Sequence, residues 1–188
     1  MTHLSRTLEE QKEEFKQRKL LATPISGMIA WLIVAISGMV FSPTVTVWVL
    51  FISTGSIVYM AMAISKWTGE NFLDTKTKNT FDRLFFYTVT QAVLVYSIAI
   101  PFFLVDYTSL PLTVGILTGL MWVPITWIID HWIGLFHALV RTISVVFLWY
   151  VFPEDRFVAI PLAIVVIYIV TITILNQRRV PTANSDMN

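Results

Sequence analysis

Six apolar runs, each about the 20 residues that a helix needs to cross a bilayer, fill nearly all of the chain between positions 22 and 177. They fall at about 22–42, 45–65, 84–105, 109–129, 132–152 and 157–177. In hydrocarbon no water pairs with exposed N–H and C=O groups, so each run must satisfy its backbone internally as a helix. Composition agrees. Hydrophobic residues make up 56% of the 188 positions and charged residues 13%, against roughly a quarter charged in a soluble domain. The mean hydropathy is +0.71. The expected fold class is an all-α integral membrane protein with six transmembrane helices occupying 22–177.

Residues 1–21 form a charged arm and residues 178–188 a polar tail with no core of its own. Thr7 followed by Glu10 fits a capping box, and Leu4, Leu8 and Phe15 recur at helical spacing. The arm is therefore predicted to be an amphipathic helix on the membrane surface, its Lys and Arg stems snorkelling. Charge placement sets the orientation. Arg6, Lys12, Lys16, Arg18 and Lys19 of the arm share a side with Lys66, Lys76, Lys78 and Arg83 of the long loop and with Arg178 and Arg179. The chain has 13 basic residues; only Arg156 falls on the opposite side, and Arg141 lies within a helix. The positive-inside rule then places both termini in the cytoplasm. No cleaved signal is predicted, so the first run reads as a retained helix.

The polar chemistry concentrates in IIDHWIGLFHALVRTISVVF, residues 128–147. Asp130 and His131, with Trp127 and Trp132, mark a tight turn at the cytoplasmic rim between helices four and five; a broken or re-entrant helix around MWVPITW is the alternative. At 100° per residue Asp130, Gly134, His137, Arg141 and Ser144 share an arc if one helix holds them all. Arg141 is ten residues into its span, about 15 Å deep at 1.5 Å per residue. A charge there costs on the order of 3 kcal/mol, and arginine cannot escape by deprotonation. It must find a carboxylate, carbonyls, water or an anion. Asp130 is too far up the same helix. The candidate partners on other helices are Gln91, Tyr87, Tyr96, Thr90 and Tyr59, none of them acidic. A guanidinium among hydroxyls and amides suits an anion-binding site, and the competing reading is a brace bonded to carbonyls. His137, one turn away, is expected to be neutral beside that charge and able to hydrogen-bond a solute or relay protons.

Other chemistry finds little support. With no cysteines, disulfides, thiolate metal sites and palmitoylation are excluded. His131 and His137 point in different directions and no ligand cluster accompanies them, so no metal site or cofactor is expected. Nucleophile elbows, phosphate-cradling glycine loops and spaced acid pairs are missing. The basic face needs only anionic lipid to explain it, not nucleic acid. Gly115 and Gly119 form a G-x-x-x-G pair and read as helix-packing residues.

VPITWIIDHWIGLFHALVRT and FPEDRFVAIP resemble the signature segments of a family of small bacterial integral membrane proteins of unknown function. Gln17-Arg18 leading into a first helix with Trp31 adds to the likeness, which covers most of residues 15–178 and is most specific at 123–161. The resemblance implies the bacterial inner membrane and brings no activity. Three functions are carried forward. The first is a transporter or channel-like protein for an anionic or polar small solute, oligomeric because six short helices are few for a carrier, with Arg141, His137, Gln91, Ser144 and Tyr87 around a polar site. The second is a membrane enzyme acting on a lipid or isoprenoid phosphate. The third is a non-catalytic scaffold or regulator.

Overall fold

The computed structural model describes residues 6–70 and 79–178. Among them Leu8–Lys16 (α1), Ala22–Val40 (α2), Pro43–Gly55 (α3), Ile57–Thr68 (α4), Thr80–Leu94 (α5) and Tyr96–Val105 (α6) are helical. After a 3-10 turn at Tyr107–Ser109 follow Leu110–Gly119 (α7), Trp122–Ile129 (α8), Ile133–Val151 (α9) and Arg156–Gln177 (α10). Five helical stretches are long and apolar enough to cross a membrane: α2, α5 with α6, the 3-10 turn with α7 and α8, α9, and α10. The α3–α4 pair makes a sixth if its 47° bend lies within one span. Leu4, Lys76, Lys78, Arg179 and the tail beyond it lie outside the described residues.

Local chemistry explains several boundaries. Ser42-Pro43 opens α3 with proline in the first helical position, where its missing N–H costs nothing. Pro124 cannot donate to the carbonyl of Leu120, one turn back, so the chain breaks at Leu120–Met121 and α8 starts afresh. That break, rather than a re-entrant loop, is what the MWVPITW segment contributes. Asp130 ends α8 in the left-handed conformation at φ 52°, and α9 begins three residues later.

α10 packs on α2 and α9, and these three form the centre of the bundle. Their close approach depends on Gly27, where an added Cβ would stand 2.5 Å from the Tyr168 ring. α4 packs on α2, whereas α5 packs on α1, α7 and α8, so α4 and α5 leave a cleft between them.

One end of the bundle carries α1. Thr7 and Glu10 form the capping box there; of the apolar residues expected along the helix, Phe15 covers protein and Leu8 is exposed. Phe15 is fully buried, its ring 6.4 Å from Phe81 and 6.0 Å from Phe85. Asn79 caps α5 through its Oδ1, which accepts from the Phe81 N–H, while its Nδ2 donates to the Gln11 carbonyl at 2.8 Å. Arg18 grips Asp82 with both Nη atoms. Arg178 donates to the Lys16 and Arg18 carbonyls at 2.9 and 2.6 Å and to Ile129 at 3.4 Å. It thereby satisfies carbonyls that the ends of α1 and α8 leave free, where a cation also suits the helix dipoles. Glu70 does the converse for α2: its carboxylate accepts from the N–H groups of Leu21 (2.6 Å) and Ala22 (3.1 Å). We refer to this as the arm end.

Candidate functional site

Arg141 sits half-way along α9 and is fully buried. Its Nε donates to the Gly115 carbonyl at 2.6 Å, Nη2 to the Thr118 hydroxyl at 2.8 Å and Nη1 to the Tyr168 hydroxyl at 3.1 Å. Nη1 also faces His137 Nε2 at 3.4 Å. The stem passes over Gly119, where a Cβ would lie 2.9 Å from Arg141 Cδ. The rings of Trp31 and Tyr168 flank the guanidinium at 5.4 and 5.5 Å, near enough for cation–π attraction.

The hydroxyls order the hydrogens of this cluster. Thr118 donates to the Val114 carbonyl and Thr171 to that of Ile167, so each can only accept from its other neighbour. His137 Nδ1, 2.8 Å from the Thr171 hydroxyl, must therefore be the protonated nitrogen. The lone pair of Nε2 is left facing Arg141, which fixes a neutral imidazole in one tautomer. Trp122 stacks on that imidazole with centroids 4.5 Å apart at 26°.

Two features of the cluster stand out. Every partner of Arg141 is neutral, and none of the ion pairs among the described residues includes it. The cluster is also short of acceptors. Four of the five guanidinium N–H groups are engaged, while the buried indole N–H groups of Trp31 and Trp122 meet no acceptor among the described residues. A net positive charge with spare donors is a site short of a negative or lone-pair-bearing group.

Against the cluster lies a cavity of about 150 Å³. Its sides are apolar residues of α4 (Val58, Ala61, Met62) and α5 (Phe86, Val89, Val93). Thr118 and Tyr168 form part of its back wall, so two of the groups holding the guanidinium also face the cavity, and Arg141 stands one layer behind. At the mid-bundle end, Tyr96 and Thr54 share a 2.5 Å hydrogen bond; because Thr54 donates to the Leu50 carbonyl, Tyr96 donates to Thr54. Asp82 lines the arm end of the cavity.

Of the residues singled out in the sequence, Arg141 and His137 come together. Ser144 is half-buried on α9 and takes no part in their hydrogen bonds. Tyr87 and Gln91, expected near Arg141, lie on the exposed face of α5, where Tyr87 accepts from Arg83 instead. Thr90 and Tyr59 are likewise exposed, and Tyr96 reaches the cavity but not the guanidinium. Asp130 leaves the expected stripe because its left-handed backbone ends α8; it faces Lys16 at 3.6 Å. His131 accepts from the Ile133 N–H and stacks on Trp132. Partial burial, then the nearby Arg178 charge, pull its pKa below the ordinary histidine value. Sequence reasoning missed Tyr168, Thr171, Thr118, Trp31, Trp122 and the Gly115 carbonyl. Tyr168 and Thr171 were findable as two of the few polar residues inside α10, three apart and hence on one face.

No curated protein and no solved structure matches the chain. A family model does match it over residues 8–178, including both segments that carry the sequence resemblance. The chain belongs to DUF7010, a family of unknown function.

Proposed function

We propose that this is a small multi-pass protein of the bacterial cytoplasmic membrane, with both termini inside, that carries an anionic small solute. The observation that supports it most is the uncompensated Arg141 charge behind a cavity wall made partly by its own partners, Thr118 and Tyr168. An anion about 6 Å from that charge gains roughly 3 kcal/mol at an effective dielectric of about 20. In this reading Arg141 supplies the field and the Tyr168 hydroxyl supplies the contact. His137 holds the guanidinium from behind rather than lining the path. The enzyme reading is weaker. The one carboxylate on the cavity wall, Asp82, is engaged by Arg18, and His137 is sealed beneath Trp122 and Tyr168.

Reconstituted vesicles test the proposal. Ala61→Trp, on the cavity side of α4, should abolish anion flux, whereas Ala63→Trp on the exposed side should not. Undiminished flux through Ala61→Trp would sink it. Because the chain has no cysteine, single-cysteine labelling tests the orientation. Ser42→Cys and Glu154→Cys should react from outside the cell, and Thr68→Cys only after permeabilisation. The reverse pattern would invert the topology.

A further inference from the structure

The cavity's own chemistry narrows the solute, on the basis of the carrier reading above. Its lining runs along the chain from Asp82 to Tyr96, about 21 Å at 1.5 Å per residue, and its long sides offer no polar group between those ends beyond what the back wall supplies. A hydrated inorganic anion would shed its water against methyl and phenyl groups and recover few hydrogen bonds, a costly exchange. An anion that brings its own hydrocarbon has no such difficulty.

Charge sets a second limit. The wall has one positive charge behind it, so a monoanion is neutralised there, while a phosphate monoester dianion keeps a surplus negative charge in a medium of low dielectric. Hydrogen bonding sets a third. The hydroxyl hydrogens of Thr118 and Tyr96 are already committed to Val114 and Thr54. Tyr168 accepts from Arg141 and retains its own O–H for donation, a donor that the guanidinium polarises.

We infer that the cleft between α4 and α5 binds a single-chain amphiphilic carboxylate of the fatty-acid class, its carboxylate accepting from the Tyr168 hydroxyl and its chain between the two helices. The ligand enters sideways from the bilayer, since α4 and α5 pack on other helices rather than on each other.

The probe is cis-parinaric acid, a fluorescent polyene fatty acid, titrated into the full-length protein in phosphatidylcholine nanodiscs. It should bind at least tenfold more tightly than its methyl ester. Ala92→Phe, which fills the cleft from α5, should remove the binding, and Ala63→Phe should not. Equal binding of the ester, or acid binding that survives Ala92→Phe, overturns the inference. If the acid does not bind while Ala61→Trp still blocks flux of chloride or phosphate, the inference falls and the carrier reading stands. If the acid does not bind and no anion flux depends on the cavity, both fall.

Discussion

Gly115 and Gly119 look interchangeable in the sequence, and the structure makes them opposites. An alanine at 115 would place its Cβ 3.4 Å from Ile164 Cδ1 and 3.5 Å from Val145 Cγ1, ordinary contact distances. Helix propensity then favours Gly115→Ala by about 1 kcal/mol. At 119 the Cβ would meet Arg141 Cδ at 2.9 Å and Nε at 3.1 Å. That side chain cannot swing aside, because its head is tied to Gly115, Thr118, Tyr168 and His137. Overpacking of this kind costs about 1–3 kcal/mol, and position 119, the last residue of α7, gains little propensity in return. The two variants should differ by about 2–4 kcal/mol, or more than tenfold in the unfolding constant at about 1.4 kcal/mol per decade. Unfolding in mixed micelles with increasing dodecyl sulfate, followed by tryptophan fluorescence, measures both. The same comparison in an Arg141→Ala background closes the cycle, and there the cost of Gly119→Ala should vanish. Equal destabilisation by the two glycine variants, or a Gly119→Ala cost that persists without the arginine, would refute the account of Gly119 as the channel for the Arg141 stem.

Two further outcomes follow from the arm end. Burial raises the Glu70 pKa above its ordinary 4.5, against the opposing pull of the Leu21 and Ala22 N–H groups and of Arg18. The folded protein therefore holds this proton more tightly than the unfolded chain. Stability contributed by protonation is full below 4.5 and is lost as pH rises through the folded value. Wild type should gain stability relative to Glu70→Gln as pH is lowered through the window just above 4.5, and a pH-independent difference between the two would contradict this. Arg178→Gln removes the charge that ties α10 to the carbonyls of Lys16, Arg18 and Ile129. Hydrogen exchange should then speed up at least tenfold across residues 8–18 while α9 and α10 keep their protection; unchanged exchange in the arm would refute the clamp.

The depth of Arg141 and its want of a carboxylate were legible in the sequence, since both follow from counting residues along an apolar run. Its partners were not. Polarity nominated Tyr87 and Gln91 on α5, but which face of α5 meets the bundle is decided by packing, and both residues face outward. The shortest contact, the Gly115 carbonyl, is a backbone group and carries no residue-type signal at all. Glu70 shows the same limit. In the sequence it belongs to a polar loop, yet in the fold it is 6% exposed and caps a helix 48 positions earlier in the chain. The 47° bend at Ser56 was hidden for a related reason: Gly55 beside it reads equally well as a small residue that lets helices approach.

Three of the long apolar helical stretches run without interruption, α2, α9 and α10, and three are jointed: α3–α4 at Ser56, α5–α6 at Val95 and α7–α8 at Leu120–Met121. Every hydrogen bond from the Arg141 guanidinium ends on α7, α9 or α10, all of them continuous posts or the half of a jointed span remote from the arm. The halves nearer the arm, α4, α5 and α8, hold none of them, and α4 and α5 supply the sides of the cavity. The molecule is thereby divided into a pinned storey and a hinged one. A rotation at the joints would move the sides of the cavity without moving any partner of the buried charge.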